Sequence, residues 1–146
     1  MAGFVPGYEK GIEKTRDKTE PPIGSKVLHE IYKRHGDSVL WAVELVFDDL
    51  FGWHEWFVRR RTLEPLGLIC LGSDPINTTN GAGGSSVDPN DWDVNTLQGA
   101  RYESGQDNSP LYDEGATPLF NNVTHHMEIY DVGFTSMFVM EARALA

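Results

Sequence analysis

The sequence predicts a mainly α chain with its functional weight in one long loop. Three observations lead there. Apolar residues recur at three- and four-residue steps through "VLWAVELVFDDLFGWHEWFVRRR", the spacing of a single helical face. The same spacing returns in "TEPPIGSKVLHEIYKRHG" and in the tail "HHMEIYDVGFTSMFVMEARALA". Between them, residues 73–100 are dominated by Asn, Asp, Gly, Ser and Thr. Such a composition makes no core, and loops of that length are functional or disordered.

Each element has its own signals. The first 20 residues are polar and broken by Gly, an irregular lead-in. Residues 21–61 predict a helical hairpin. Pro22 suits a first helical turn, Val27, Leu28, Ile31 and Tyr32 form one apolar stripe, and Gly36 suits a C-terminal cap. Asp37 or Ser38 is placed to cap the second helix, along which Val39, Val43, Val46 or Phe47, Leu50, Trp53 and Phe57 recur. Arg59, Arg60 and Arg61 then meet the negative end of its dipole. So short a connection predicts antiparallel packing. "LGLICLG", residues 66–72, reads equally as a buried extended segment or a turn of helix. A third long helix is predicted over about 127–145, through Ile129, Val132, Met137, Met140 and Ala144.

Bulk properties exclude several classes. A chain of 146 residues allows one domain and one modest core. A formal charge of -10 argues against nucleic acid, whose phosphates it would repel. No stretch approaches the roughly 18 apolar residues of a membrane helix, and "MAGFVPGYEK" lacks a secretory pattern. No membrane partner is expected, and a cytoplasmic location is the default. Cys70 is the single cysteine, which excludes an internal disulfide and predicts a buried, inert thiol.

Several local patterns invite chemistry. "GAGGSS" at 81–86 lacks the Lys-Ser/Thr of a phosphate loop. Asp91, Asp93 and Asn95 alternate as in a calcium loop, but Thr96 and Tyr102 stand where such a loop needs Gly and Glu. His125, His126, Glu128 and Asp131 do not have a zinc-protease spacing. No metal and no cofactor are therefore expected. That leaves "ESGQDNSP" at 103–110. One reading is a polar turn in which Asn108 or Ser109 caps a short helix begun by Pro110. The other is a carboxyl group aimed at a ligand, with Gly105 allowing close approach.

"ESGQDNSPLYD", taken with "TEPPIGSKVL", "DLFGWHEWFVRRR", "GLICLGSD" and "MEIYDVGFTSMFVMEARALA", resembles glycoside hydrolase family 63. The nearest likeness is to its mannosylglycerate and glucosylglycerate hydrolases and related α-glucosidases. It runs from about residue 4 to residue 146, with the segments in the same order. The resemblance implies an (α/α)6 toroid and hydrolysis of an α-linked glycoside or oligosaccharide with inversion. It also implies that Asp107 in the acid motif, residues 101–110, is the general acid. That group must be protonated at working pH, with its partner base roughly 6.5–9.5 Å away across the attacking water. Glu103, Gly105 and Gln106 are implied as sugar contacts. Glu20, before a Pro pair, stands where related enzymes carry a Gln that touches substrate. Gln106 replaces an aromatic or Met residue, which reduces the stacking surface.

The family's base lies on a much later segment, and three long helices cannot close such a ring. Residues 1–146 are thus expected to form a partial toroid, one piece of a catalytic domain. Helix faces should be apolar where the remainder packs, and the isolated chain should be inactive. The alternative is a non-catalytic carbohydrate- or calcium-binding module built on Trp92 and the Asp91, Asp93 and Asn95 cluster.

Overall fold

The computed structural model describes residues 9–10, 13–14, 17–74, 94–113, 115 and 119–146. The chain is mainly helical, as expected. A short antiparallel pair, β1 (Glu9–Lys10) and β2 (Glu13–Lys14), leads in. Helix α1 spans Gly24–His35, and the cap at Gly36 donates its N–H to the Tyr32 carbonyl. Pro22 lies just before the helix rather than in its first turn, because the chain turns at Ile23, whose N–H bonds the Pro21 carbonyl at 2.9 Å.

Neither Asp37 nor Ser38 caps the next helix. Gly36–Val39 forms a 3-10 turn instead. Within it Ser38 Oγ donates to the His35 carbonyl, and Asp37 accepts from Tyr32 Oη. Helix α2 then runs over Leu40–Arg60. Its first half carries exposed Trp41, Leu45 and Phe47, and only its second half buries a face, through Trp53, Trp56 and Phe57. On α1, Leu28 and Tyr32 turn inward while Val27 and Ile31 stay exposed.

The segment at 66–72 is extended. Strands β3 (Thr62–Leu63) and β4 (Leu68–Ile69) pair antiparallel, with Thr62 opposite Ile69. The chain continues extended to Ser73, where Met127 N bonds the Leu71 carbonyl and Gly72 bridges His126. The end of the predicted loop is helical, since α3 covers Leu97–Tyr102 with Thr96 accepting from Gly99 N. Residues 75–93, with the glycine run, Asp91, Trp92 and Asp93, lie outside the described residues.

The final helix is shorter than predicted. Residues 126–127 belong to β6 (His126–Met127), which pairs with β5 (Phe120–Asn121). The helix, α4, begins only at Val132 and runs to Leu145. Asp131 sets that start, because its carboxylate accepts the N–H of Phe134 at 2.8 Å. The core gathers around Phe57, whose ring meets Trp53, Trp56, Phe134 and Phe138 at centroid distances of 5.2–6.1 Å. Ile69, Leu71, Ala100, Tyr112 and Met127 complete it.

Helix α1 makes its broadest contact with α4, and one carboxylate joins them. Glu141 is 1% exposed, and its two oxygens accept Ser25 N at 2.8 Å and Lys26 N at 3.2 Å. No side chain within α1 caps its N-terminus, so α4 supplies the acceptor. The outer faces match the expectation of apolar surface. Ile23 before α1, Val27 and Ile31 of α1, Trp41 and Leu45 of α2, and Val132 and Val139 of α4 are all exposed. Among the described residues, no helix is long and apolar enough to cross a membrane.

Candidate active site

The acid motif begins where α3 ends. Ser104 N bonds the Arg101 carbonyl at 3.0 Å, and Ser104 Oγ donates to the same oxygen while accepting Gln106 N. Gly105 reverses the chain at a φ of 67°, a left-handed conformation that a Cβ would strain. Ser109 N closes the turn onto the Gln106 carbonyl at 2.9 Å. Ser109, rather than Asn108, caps the 3-10 turn Pro110–Tyr112, accepting Leu111 N through its hydroxyl. Arg101 brackets the loop from inside by donating to the Tyr112 carbonyl and pairing with Asp113. Tyr112 in turn donates to Asp131 at 2.6 Å, which ties the motif to the start of α4.

The loop rests on a polar wall rather than an apolar one. Asp17, Lys18, Thr19, Arg61, Ser73 and Glu103 are all buried. Arg61 terminates α2, and its guanidinium reaches both Glu103 oxygens, Nε to Oε2 at 2.8 Å and Nη2 to Oε1 at 2.6 Å. Gly72 N and Thr19 N donate to the same two oxygens at 2.8 and 3.1 Å. Burial pushes the Glu103 carboxyl upward, against the pull of Arg61 and the two amides. Burial likewise opposes the Arg61 charge, which Glu103 outweighs, so the guanidinium is held above its ordinary range. A proton on either Glu103 oxygen would displace one of four donors, so the pair stands ionised. Trp56 stacks on the guanidinium at 4.6 Å.

Around this pair, Asp17 accepts from Lys18 and from Ser73 Oγ, and Asp74 bridges Arg60 and Arg61. Thr19 Oγ1 accepts the Trp53 indole N–H at 2.9 Å. Asn95 N donates to Ser73 Oγ, and the Asn95 side chain meets His125 Nδ1. The lead-in read as irregular from sequence is therefore, over 17–19, a built part of this wall.

The residues implied as site groups divide here. Glu103, which the resemblance implies as a sugar contact, is fully buried, and four donors meet its two oxygens. Glu20, Gly105 and Gln106 are exposed, and Asp107 is half-buried. Among the described residues, the Asp107 carboxylate accepts no hydrogen bond; it is not the cap of its own turn. The segments carrying these groups run side by side. Thr19 bonds Glu103, and a Cβ on Gly105 would lie 3.4 Å from Pro21 Cγ. Glu20 is close enough to feel Asp107. Partial burial raises the Glu20 pKa, and the Asp107 charge raises it further.

The remaining candidates disperse. His125 pairs with Asn95, His126 with the Arg60 carbonyl, Glu128 with Asn121, and Asp131 caps α4. A groove of about 620 Å³ between α1 and α4 is lined by Lys26, His29, Met140 and Arg143 and shares no residue with the acid motif. Sequence reasoning missed Arg61, Asp17, Thr19 and Ser73. The only available signal for Arg61 was that it follows the last helical turn directly.

No curated protein and no solved structure matches the chain. The family model for the mannosylglycerate hydrolase MGH1-like glycoside hydrolase domain matches residues 2–146. That span takes in the acid loop, its buried wall and all the helices that carry them, and by it the chain belongs to this family of glycoside hydrolase domains.

Proposed function

We propose that this domain carries the general acid of an inverting α-glycosidase of the family 63 type, acting on terminal α-glucosyl or α-mannosyl linkages. The observation that supports the reading is the state of Asp107. It is half-buried on a loop whose Glu103, Ser104 and Ser109 side chains are engaged, yet accepts no hydrogen bond among the described residues. A carboxyl without protein donors is suited to hold a proton and deliver it.

In the reaction, the Asp107 proton passes to the glycosidic oxygen as the bond to the anomeric carbon breaks and its electron pair stays on that oxygen. A water adds to the opposite face of the sugar and yields its own proton to a carboxylate base. Glu20, Gly105 and Gln106 line the same mouth and contact the terminal sugar. Glu128 and Glu141 are unsuited as the base. The first bonds Asn121, and the second is buried as the cap of α1. We assign the base to a segment outside residues 1–146 and the covering of the exposed apolar stripes to further helices of the same catalytic domain.

The test is Asp107→Asn in the complete protein. Turnover should fall by about 10²–10⁴-fold while a substrate analogue still binds, and unchanged turnover would refute the assignment. Residues 1–146 alone should show no turnover of aryl α-glucosides or glucosylglycerate. Activity that disappears on Asp107→Asn would mean that the base lies within the chain.

A further inference from the structure

We infer that the buried Arg61–Glu103 pair is a positioning device, which sets the acid loop against the Glu20 segment so that Asp107 and Glu20 meet at one mouth. The inference rests on the reading of Asp107 as the general acid. Four stretches of chain converge on the pair: the end of α2 through Arg61, the extended strand through Gly72, the lead-in through Thr19, and the acid motif through Glu103 itself. Two of those contacts adjoin proposed site residues. Thr19 immediately precedes Glu20, and a Cβ on Gly105, two residues beyond Glu103, would lie 3.4 Å from Pro21 Cγ.

The guanidinium is itself held in place. Trp56 covers one face, and Nη1 reaches Asp74 at 3.3 Å and the Arg60 carbonyl at 3.1 Å. Gly72 leaves it room, since a Cβ there would lie 2.8 Å from both the guanidinium and the His125 carbonyl. A planar fork fixes distance and angle together, which a point charge does not. Stability alone does not require such a pair, because apolar replacements of buried ion pairs are often as stable. Two backbone amides from different segments on one carboxylate instead fix where those segments stand. Moving the carboxylate by one methylene shifts the acid relative to the opposite wall.

Two variants of the complete protein test this, Glu103→Asp, which retracts the carboxylate, and Arg61→Lys, which keeps the charge but loses the fork. Each is compared with Asp107→Asn on an alkyl α-glucoside and on α-glucosyl fluoride, well below the melting temperature. Fluoride departs without full proton transfer, so a misplaced acid slows the alkyl substrate selectively. The pair variants should lose about 10–100-fold in kcat on the alkyl glucoside, with KM nearly constant and a much smaller loss on the fluoride. Equal losses on both substrates would report only a smaller folded fraction and overturn the inference, as would unchanged kcat. Failure of both variants to fold would assign the pair to stability alone, and also overturn it. If Asp107→Asn shows no leaving-group dependence, the acid assignment falls; if it does and the pair variants do not, only the positioning role falls.

Discussion

Replacing Glu141 by Ala should loosen the joint between α1 and α4. The wild-type carboxylate is almost fully buried and accepts two backbone N–H groups, at 2.8 and 3.2 Å. A hydrogen bond to a charged group contributes about 1.5–3 kcal/mol. The longer bond, to half-buried Lys26, belongs at the bottom of that range because water can replace it. The favourable charge at a helix N-terminus adds about 0.3–1 kcal/mol, and the better helix propensity of Ala returns a few tenths. The net cost is about 3–5 kcal/mol, or about 10–15 °C in melting temperature for a chain of this size. Glu141→Gln keeps one acceptor oxygen and should lose about half as much. Urea unfolding reads the difference as a midpoint shift at constant slope. A loss below about 0.5 kcal/mol for Glu141→Ala, in the range of an ordinary surface change, would show that the carboxylate does not hold the helix.

Three further outcomes follow from the geometry. Phe57→Ala should cost about 3–5 kcal/mol, because the ring is fully buried and touches four other aromatic rings; a midpoint near wild type in urea would contradict that core. Burial raises the Glu20 pKa, and Asp107 raises it further, so its folded form binds protons more readily than its unfolded form. Wild type should therefore lose stability as pH rises from the ordinary Glu value through the raised one. Glu20→Gln should match it at low pH and exceed it at neutral pH, and the reverse ordering in unfolding midpoints would count against the Glu20–Asp107 juxtaposition. Burial pushes the Cys70 thiol up to about 12, so the native chain at pH 8 should resist alkylation that proceeds after unfolding. Labelling at the unfolded rate would show the thiol to be accessible.

The helices were legible because their signals are local. Three- and four-residue apolar spacing located α1 and α2, and Gly36 marked the stop between them. Spacing did not reveal which apolar positions are covered. Val27 and Ile31 carry the same signal as Leu28 and Tyr32 but remain outside. The start of α4 was misplaced because Ile129 continues the helical period. His125 adopts a φ of 66° and Met127 is held in a strand, however, and the usable signal was Asp131 as a cap. The acid loop was legible as a motif with Asn108 or Ser109 as a cap, of which Ser109 caps the 3-10 turn. Its support was not, because nothing in a run of three arginines says which one will meet a glutamate 42 residues away. That partnership is decided by tertiary packing.

The carboxylates of this domain separate by what holds them, and the separation says where chemistry is free to occur. Asp17, Glu103, Asp131 and Glu141 are all buried. Each is tied to named donors: Lys18 and Ser73, Arg61 with two amides, Tyr112 and Phe134 N, and the first turn of α1. Burying such groups without partners would cost several kcal/mol each, so their saturation is what folding requires. Fully exposed acids need no protein donor because water serves. Asp107 lies between these cases, half-buried, beside another carboxylate, and without a donor among the described residues. The saturated acids fix the loop in space, and Asp107 is left without a protein donor among the described residues.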